Sequence, residues 1–312
     1  MNLLVTGGYG FIGSNFITHI FQKYNYNIWN IDSLTYAASL DRLSEEIKKS
    51  KRYNFVKCDI NDHEVIKKLV KDNNINLIVH FAAESHVDNS IKDSGPFIKT
   101  NINGTHSLLN LLHDCSTIKR YLQVSTDEVY GSLKEGDSPF TENTPLQPNS
   151  PYSASKAAAD LLCRSFYETF KYPILLTRCS NNYGPNQHEE KLIPLMIKNA
   201  KAGNKLPVYG DGRNIRDWIH VLDHCSAIDE VLHRGEAGEV YNIGGDNEVR
   251  NVDIVKNILS LLKKGENQIQ FVKDRLGHDW RYAIDNTKIK AQLGWSPRIQ
   301  FSTGLKQLIL EK

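Results

Sequence analysis

The chain has 312 residues, of which 40% are hydrophobic and 24% are charged, and its formal net charge at pH 7 is +2. A length of roughly 150 residues per domain predicts two domains. The near-neutral charge argues against nucleic acid or an anionic membrane as a partner, because the chain has no global basic field to attract either. No apolar run approaches the length of a membrane span, and the N-terminus lacks the features of a signal peptide, so no membrane partner is expected.

Five cysteines are spread along the chain: Cys58, Cys115, Cys163, Cys179 and Cys225. Their number is odd, and no two of them have the spacing of metal ligands. This pattern favours a reducing, cytoplasmic compartment and predicts no metal site.

Short apolar runs alternate with longer amphipathic stretches over the first 180 residues. The runs predicted as strands are Asn2–Thr6, Asn27–Asp32, Asn54–Asp59, Asn76–Ala82, Arg120–Ser125 and Ile174–Arg178. The stretches predicted as helices are Phe11–Tyr24, His63–Asn73, Pro96–Asp114 and Tyr152–Phe170. Continuous apolar strands separated by helices are typical of a parallel sheet covered on both faces. The predicted class is therefore α/β, with a Rossmann-type doubly wound parallel sheet.

After about residue 180 the loops become longer and the helices less regular. We therefore expect an NAD-binding domain over residues 1–180 and a smaller C-terminal α/β domain over residues 181–312 that binds the substrate. Segments near 217–244, including Trp218–Ala227 and an apolar strand near Glu239–Ile243, are expected to return to the first domain.

A glycine-rich turn joins the first predicted strand to the first helix. Gly8, Gly10 and Gly13 fit the GxGxxG spacing, which permits a tight turn and a close approach of the backbone to a pyrophosphate. The helix N-terminus then offers free N–H groups to the phosphates. Asp32 ends the second strand, where a carboxylate bonds ribose hydroxyls and repels a 2′-phosphate. The arrangement predicts NAD over NADP, since Ser33 supplies no compensating cation.

Two further strand ends carry candidate cofactor contacts. Asp59 ends the third strand and is suited either to contact the adenine or to form a turn. The segment Phe81–Ser85 follows the fourth strand and contains Ala82 and Ala83. Small residues there let a cofactor lie against the backbone, although close packing would also select them.

Two sets of polar side chains are candidates for chemistry. Tyr152 and Lys156 are spaced i, i+4 at the start of a predicted helix, so both side chains lie on one face. A neighbouring ammonium, together with the positive nicotinamide ring of the cofactor, lowers the pKa of a phenol, which would make Tyr152 a general base for a sugar hydroxyl. Thr126, Asp127 and Glu128 follow the fifth strand, at the edge where parallel sheets bind ligands. For Thr126, a helix N-cap is the alternative.

These segments resemble the extended short-chain dehydrogenases/reductases and, within them, the nucleoside-diphosphate-glucose 4,6-dehydratases, most closely those that act on dTDP-glucose. The resemblance spans nearly the whole chain, including TGGYGFIGSN, STDEVYG, SPYSASKAAAD and DRLGHDWRYAID. The Tyr-x-x-x-Lys pair marks the whole superfamily, whereas the Thr-Asp-Glu triplet is the specific signal. Alternatives of the same fold are a UDP-glucose 4,6-dehydratase and a nucleotide-sugar 4-epimerase, which lacks the acid pair. A non-catalytic NAD-sensing protein is a more distant alternative.

The resemblance implies an NAD-dependent hydro-lyase that converts dTDP-glucose to dTDP-4-keto-6-deoxyglucose and water. Tyr152, aided by Lys156, takes the proton of the C4 hydroxyl, and hydride passes from C4 to NAD⁺ and later returns to C6. Glu128 removes the C5 proton while Asp127 protonates the departing C6 hydroxyl, and Thr126 bonds the C4 oxygen. Like-charge repulsion from Glu128 is expected to raise the pKa of Asp127, so that Asp127 holds its proton.

The resemblance also implies the binding residues. Those expected to contact NAD are Gly7, Gly10, Phe11, Ile12, Gly13, Asp32, Ser33, Leu34, Thr35, Asp59, Ile60, Phe81, Ala82, Ala83, Ser85, Thr100, Tyr152, Lys156 and Asn182. Those expected to contact the nucleotide-sugar are Ser85, Thr126, Asn181, Lys191, Leu192, Pro207, Val208, Tyr209, Arg216, Asn251, Asp274, Arg275 and His278. Arg216 and Lys191 suit a diphosphate, although Lys191 alone would read equally well as a surface cation.

Two positions depart from the pattern of the resembled family. Ser33 stands where lysine is common, and Leu276 stands where proline is common. The first change loosens a cofactor contact and the second alters a loop over the nucleotide, but neither removes a catalytic group.

The resemblance further implies a homodimer held by a four-helix bundle. The helices expected to form it are Pro96–Asp114 and Tyr152–Phe170. The apolar residues of the second helix fit this interface or the core equally well: Leu161, Leu162, Phe166 and Phe170.

Overall fold

A computed structural model describes residues 1–310 of the protein. The strands are β1 (Asn2–Thr6), β2 (Asn27–Asp32), β3 (Tyr53–Lys57), β4 (Leu77–His80), β5 (Arg120–Thr126), β6 (Ile174–Cys179), β7 (Asn181–Tyr183), β8 (Leu206–Tyr209), β9 (Ile215–His220), β10 (Val240–Ile243), β11 (Glu248–Arg250) and β12 (Ile269–Val272). The helices are α1 (Phe11–Lys23), α2 (Glu45–Lys48), α3 (His63–Asp72), α4 (Val87–Lys92), α5 (Gly95–Phe97), α6 (Thr105–Asp114), α7 (Pro151–Phe170), α8 (Leu192–Ala202), α9 (Val221–Arg234), α10 (Asn251–Leu261), α11 (Thr287–Leu293) and α12 (Phe301–Leu310). Short 3₁₀ turns occur at Leu40–Arg42, Asp127–Tyr130 and Glu266–Gln268.

Seven parallel strands form the central sheet in the order β10-β6-β5-β4-β1-β2-β3. Every residue of β4 and of β6 is buried, which explains why these strands read as continuous apolar runs. β1 pairs with both β2 and β4, and Thr6 lies opposite Ile31 and His80. The strand order reverses at β1, so the crevice beyond its carboxyl end is where open α/β sheets bind ligands. The predicted Rossmann-type fold class is confirmed.

Helices cover both faces of this sheet. On one face α1 packs against α9, and Phe16 and Ile228 belong to the same hydrophobic cluster. On the other face lie α3, α6 and α7, which contribute Ile66, Leu108 and Cys163 to a second cluster. Full burial of each such aliphatic side chain contributes roughly 1.5–3 kcal/mol, so the two layers together hold the strand ends in place.

The predicted helix Pro96–Asp114 is a run of three segments, in which a π-helical stretch (Ile98–Gly104) connects α5 to α6. This wider stretch carries the buried residue Asn101, whose Nδ2 donates to Glu84 O at 3.0 Å and to Ser155 Oγ at 2.8 Å. Asn101 therefore ties the loop after β4 to α7.

Beyond β6, most of the chain surrounds two small sheets, β11-β9-β7 and β12-β8. Helices α8, α10 and α12 pack around them in a third cluster that includes Met196, Ile258 and Leu305. Two later elements lie with the first part of the chain, because β10 pairs with β6 in the central sheet and α9 packs on α1. The division into domains at residue 180 stays a prediction.

Across residues 1–310, no helix is both long enough and apolar enough to cross a membrane. All five cysteines are free and buried. Within the same residues, no group of three or more His, Cys, Asp or Glu side chains has a geometry suited to a metal ion.

Candidate functional site

Three connected cavities lie at the carboxyl ends of the central strands. Cavity A, of about 210 Å³, adjoins the ends of β1, β2 and β3. Cavity B, of about 290 Å³, extends from the glycine-rich turn to α7, and cavity C, of about 370 Å³, reaches the small sheets. A and B share Gly7 and Gly10, whereas B and C share Ser85, Glu128 and Lys191. The cavities therefore form one elongated site.

The glycine-rich turn lines both cavity A and cavity B. Gly7 has a φ of +71°, and a Cβ at this position would lie 2.7 Å from the backbone nitrogen of Ala82. A Cβ on Gly13 would lie 2.3 Å from Gly7 O, so neither position accepts a side chain. Gly10 is the N-cap residue of α1, and the first turn of α1 lines cavity B. The N–H groups of this turn lack intrahelical acceptors and suit a phosphate.

The GxGxxG assignment is wrong at Gly8. A Cβ on Gly8 would lie 2.2 Å from Asn30 Oδ1 and 2.5 Å from Ile17 Cδ1, and Gly8 N donates to that Asn30 oxygen at 3.0 Å. Gly8 therefore faces the sheet and helix α1, and the glycines that line the cavities have the spacing GxxGxxG.

Asp32 lies at the end of β2 and lines cavity A. Its Oδ2 accepts from Tyr9 N at 2.9 Å and its Oδ1 accepts from Leu34 N at 2.8 Å. Two backbone donors hold the carboxylate in place, and each oxygen keeps a second lone pair for a ligand hydroxyl.

The residues expected to contact NAD lie around cavities A and B, with one exception. Cavity A is lined by Asp32, Ser33, Thr35, Asp59, Ile60, Ala82 and Thr100. Cavity B is lined by Phe11, Ile12, Gly13, Ser85, Tyr152, Lys156 and Asn182, and both are lined by Gly7, Gly10, Phe81 and Ala83. The exception is Leu34, which has a φ of +56° and packs against the core. Its backbone N–H supports Asp32 instead.

The start of α7 presents Tyr152 and Lys156 to cavity B. The helix begins at Pro151, and Ser150 caps it by accepting a hydrogen bond from Ser153 N at 3.0 Å. Lys156 is 5% exposed, and its Nζ donates to Val124 O at 2.8 Å. A buried ammonium is thus held at the end of β5.

The pKa of Tyr152 lies well above its ordinary value, because burial and then the nearby Glu128 disfavour the phenolate, whereas a hydrogen bond with Thr126 acts in the opposite direction. The expected lowering by Lys156 together with the positive nicotinamide ring concerns the protein with its cofactor and stays a prediction. Burial also lowers the pKa of Lys156 itself. A cationic group beside Tyr152 in cavity B would favour the phenolate.

Thr126, Asp127 and Glu128 lie where β5 passes into a 3₁₀ turn. Thr126 is the N-cap residue of this turn, with its Oγ accepting from Glu128 N at 3.3 Å and donating to Asp127 Oδ1 at 3.2 Å. It also lines cavity B. Thr126 is therefore both the N-cap residue of this turn and a residue of the site.

Asp127 is 2% exposed, and its Oδ2 has no hydrogen-bond partner within residues 1–310. Burial raises the pKa of Asp127 well above its ordinary value, and repulsion from Glu128 and then Asp217 adds to the effect. The predicted direction agrees with this shift, but the main cause is desolvation and the like charge is the second cause. Asp127 is therefore suited to donate a proton at neutral pH.

Glu128 lines both cavity B and cavity C. Burial raises its pKa, while the neighbouring cations Arg275 and Arg216 oppose this shift. The two adjacent acids thus differ in environment, since cations moderate the shift of Glu128 more than that of Asp127. Such a difference separates an acid from a base.

Cavity C contains three cations, Arg216, Lys191 and Arg275, and Lys191 and Arg275 lie 3.9 Å from the carboxylates of Glu190 and Asp88. Arg216 is 5% exposed, and its guanidinium donates to Ile215 O at 2.7 Å and to Asp279 O at 2.9 Å while lying 4.4 Å from the ring centroid of Tyr282. These contacts hold the side chain without neutralising it. Lys191 donates to Ser85 O at 3.2 Å and also lines the cavity, so it is not an ordinary surface cation.

Most residues expected to contact the nucleotide-sugar line cavity C: Ser85, Asn181, Lys191, Leu192, Pro207, Val208, Tyr209, Arg216, Asn251, Arg275 and His278. Thr126 lines cavity B instead. Asp274 is absent from the described lining, and its Oδ1 lies 2.7 Å from His278 Nδ1. Asp274 also accepts from Arg275 N at 2.8 Å, so it contacts two residues of the cavity lining.

Sequence reasoning missed several lining residues: His86, Val87, Asp88, Glu190, Leu195, Met196, Trp218, Val272 and Tyr282 around cavity C, and Cys179, Ser180, Gln187 and His188 around cavity B. Several of them lie next to predicted residues, inside the sequence segments that carried the resemblance. Proximity in the sequence to a predicted site residue could therefore have identified them.

Buried polar atoms without a partner are concentrated in this site. Lining atoms without a hydrogen-bond partner among residues 1–310 are Asn181 Oδ1, Gln187 Oε1, Trp218 Nε1, Asn251 Oδ1 and Arg275 Nε. Buried polar groups are normally paired, so this concentration indicates that ligands supply the partners. Together with the glycine-rich turn and Asp32, Asn181 and Gln187 fit a dinucleotide in cavities A and B.

Comparisons with known proteins agree with this geometry. The family model described as GDP-mannose 4,6 dehydratase matches residues 4–308. The chain is 51% identical to the low-salt glycan biosynthesis protein Agl12 of Haloferax volcanii, over 99% of this chain and 97% of that protein. It is 48% identical to the dTDP-glucose 4,6-dehydratase of Xanthomonas campestris pv. campestris, over 97% and 90% of the two chains.

A solved structure extends this agreement to the fold. The dTDP-glucose 4,6-dehydratase of Bacillus anthracis str. Ames, in complex with NAD, superimposes with a TM-score of 0.92 at 51% identity and covers 99% of this chain and 95% of that chain. The chain therefore belongs to the GDP-mannose 4,6 dehydratase family of extended short-chain dehydrogenases/reductases, and within it is similar to the dTDP-glucose 4,6-dehydratases.

Proposed function

We propose that this chain is an NAD-dependent dTDP-glucose 4,6-dehydratase, which forms dTDP-4-keto-6-deoxyglucose and water. The observation that carries the proposal is the acid pair beside Tyr152, in which Asp127 is buried and the partly buried Glu128 lines both cavity B and cavity C. A 4-epimerase needs a base at C4 but no acid–base pair for the loss of water. Similarity to relatives named dTDP-glucose 4,6-dehydratase supports the choice.

The residues around cavities A and B would hold NAD. The glycine-rich turn and the first turn of α1 suit its diphosphate, and Asp32 suits the adenosine ribose. Bound NAD supplies a reversible acceptor for the hydride of C4, which is given back at C6. The relative from Bacillus anthracis is described in complex with NAD, which supports this cofactor.

Tyr152 removes the proton of the C4 hydroxyl. Because its pKa is raised in the protein alone, the phenol becomes basic only when a cationic group lies beside it in cavity B. Lys156, fixed by Val124 O, contributes a second positive charge nearby. Thr126 keeps the C4 oxygen in reach, since its hydroxyl lines the same cavity.

The acid pair then removes water. A ketone at C4 makes the C5 proton acidic, and Glu128 accepts that proton. Asp127 gives its proton to the C6 oxygen, which leaves as water while the C5–C6 double bond forms. Glu128 returns a proton to C5 when C6 is reduced, so only the proton taken by Tyr152 and the one given by Asp127 remain to be exchanged before the next cycle.

Cavity C would bind the nucleoside diphosphate of the substrate. Arg216, Lys191 and Arg275 provide the positive charge for two phosphates. Apolar groups such as Leu192 and Val208 provide a surface for the base. The relatives from Xanthomonas campestris and Bacillus anthracis are named dTDP-glucose 4,6-dehydratases, which supports dTDP over UDP.

A homodimer formed by a four-helix bundle completes the proposal. Support comes from apolar side chains that the described chain leaves exposed on α7 and on the π-helical stretch: Leu161 is 55% exposed, Phe170 is 45% exposed and Ile98 is 50% exposed. Burying such a face against a second copy is favourable. By contrast, Leu162 and Phe166 pack against the core in the single chain.

Cytoplasmic residence and a division into two domains are also proposed. The five free cysteines fit a reducing compartment. The separate hydrophobic cluster around α8, α10 and α12 supports a second unit after residue 180, with α9 and β10 assigned to the first.

The test is a direct assay of purified protein with dTDP-glucose and with UDP-glucose, without added reductant. Products are separated and weighed by mass spectrometry. Loss of one water from dTDP-glucose alone supports the proposal. Loss of water from UDP-glucose alone would identify the chain as a UDP-glucose 4,6-dehydratase instead. An unchanged mass with an inverted C4 centre would replace it with the epimerase, and no reaction despite bound NAD would favour an NAD sensor.

A further inference from the structure

His224 lies behind the wall of cavity B and belongs to none of the groups described above. It is in the first turn of α9 and is 0% exposed. Its Nδ1 lies 2.8 Å from the side-chain oxygen of Asn182, and Asn182 lines cavity B. His224 itself is not among the lining residues of the three cavities. It therefore reaches the site through Asn182.

The contacts of Asn182 determine which ring nitrogen of His224 carries the proton. Asn182 Nδ2 lies 3.0 Å from Ser180 O and 3.4 Å from Cys179 Sγ. A backbone carbonyl only accepts hydrogen bonds, so the nitrogen of the amide must face Ser180 and the oxygen must face His224. Since that oxygen also only accepts, His224 Nδ1 must carry the proton.

The other ring nitrogen is then a bare acceptor. Burial lowers the pKa of His224 to about 3, so the ring stays neutral at physiological pH. Nε2 has no hydrogen-bond partner among the described residues. A buried unpaired acceptor destabilises a fold, whereas an apolar side chain of similar size would not. Packing alone therefore does not account for histidine at this position.

Asn182 is the centre of a short wall segment. Its strand, β7, pairs with β9, and its backbone oxygen accepts from Gln187 Nε2 at 2.8 Å. Ser180 and Asn181, just before it, line cavity B, and Asn181 Oδ1 has no hydrogen-bond partner among residues 1–310. A change in the orientation of the Asn182 side-chain amide would therefore displace groups that line the ligand cavity.

We propose that His224 is a positioning residue, whose Nδ1–H holds the Asn182 amide and through it aligns the Ser180–Asn182 wall with the reactive end of the cofactor. The inference rests on the proposed function for the identity of the ligand. The hydrogen bond and the tautomer do not depend on that function.

Two matched substitutions separate positioning from packing. In His224→Asn, the amide nitrogen occupies nearly the place of the imidazole Nδ1 and keeps a donor for Asn182, but the smaller side chain leaves a void. His224→Leu fills the space and removes both the donor and the unpaired acceptor. We expect His224→Leu to melt at the higher temperature of the two variants.

The order of activity should be the opposite. We expect His224→Leu to lower kcat about tenfold to a hundredfold, because misplacement of about 1 Å has that scale of effect. The KM for dTDP-glucose should change less than kcat, since Asn181 is the one residue of this wall that also lines cavity C. His224→Asn should recover most of the kcat. Equal kcat in His224→Leu and the unmodified protein would overturn the inference, as would activities that follow melting temperature.

A second readout needs no turnover. Nitrogen-15 NMR of the imidazole distinguishes the two tautomers, and titration of NAD into protein stripped of cofactor gives its affinity. We expect an Nδ1–H tautomer that is lost in Asn182→Ala, and weaker NAD binding by His224→Leu than by His224→Asn. A proton on Nε2 in the unmodified protein would overturn the inference. Inactivity of the unmodified protein toward every nucleotide-sugar would sink the proposed function, while these two measurements would still decide the role of His224.

Discussion

Replacing Asp127 with asparagine should separate the loss of water from the oxidation that precedes it. Asp127 is buried, its Oδ1 accepts from Thr126 Oγ, and burial with the neighbouring Glu128 raises its pKa. The native side chain is therefore a neutral carboxyl group, which asparagine matches in size and charge. The free energy of unfolding should change by no more than about 1–2 kcal/mol, the range for altering one buried polar partner.

The expected kinetic effect is much larger than the effect on stability. A positioned general acid contributes about 10²–10⁴-fold to a rate, which corresponds to about 2.7–5.4 kcal/mol in the barrier. Overall turnover of dTDP-glucose should fall by this factor. Oxidation at C4 should persist, because Tyr152 and Lys156 are unchanged. Quenched time points should therefore contain a sugar nucleotide two hydrogens lighter than substrate, accompanied by the absorbance of reduced nicotinamide.

Glu128→Gln provides the control for this experiment. In deuterated water, Asp127→Asn should still exchange the C5 proton of the oxidised intermediate, because Glu128 remains to remove it. Glu128→Gln should block both exchange and water loss. Water loss by Asp127→Asn at the native rate, or an equal loss of C4 oxidation, would refute the assignment of the acid.

Three further outcomes follow from the structure. Arg216→Lys keeps the positive charge but loses the two parallel N–H donors of the guanidinium. Because a hydrogen bond to a charged group contributes about 1.5–3 kcal/mol, the KM for dTDP-glucose should rise about tenfold to a hundredfold. An unchanged KM in steady-state assays would contradict a contact between Arg216 and the diphosphate. Although burial pushes it upward, hydrogen bonds from His19, His233 and Lys23 hold the pKa of the 1%-exposed Asp229 below its ordinary value. The Asp229 carboxylate therefore stabilises the fold at pH values above its unfolded pKa near 3.9, and this stabilisation is lost as the pH falls. Asp229→Asn should lower the free energy of unfolding in urea by about 3–5 kcal/mol at pH 7. The difference between the variant and the unmodified protein should shrink progressively below about pH 4. Leu161→Asp should shift the sedimentation coefficient toward that of a monomer, and a dimer that survives this change would exclude the face around Leu161.

The properties predicted correctly from the sequence depend on local order. The alternation of apolar runs and amphipathic stretches determines the α/β class, and the short segments around Thr126 and Tyr152 indicate the chemistry. The raised pKa of Asp127 was also predictable in direction, since an adjacent acid is visible in the chain. Its main cause is burial, which no adjacent residue reveals.

Other expectations failed where the orientation of one residue matters. Gly7 and Gly8 are neighbouring glycines with different surroundings. Gly8 packs against Asn30, whereas Gly7 lines the cavities. Leu34 has a φ of +56°, packs against the core and is not among the lining residues of cavities A and B.

The sequence by itself thus determined the fold class and the NAD cofactor and predicted a catalytic set, because periodicity and short motifs are properties of neighbouring residues. Only the tertiary structure decided which distant residues share a cavity and which polar atoms lack partners. Cavity C joins Ser85 to Tyr282, and His224 meets Asn182 across 42 positions of chain. Desolvation, orientation and pairing arise from the packing of separate elements, so they become readable only when those elements are assembled.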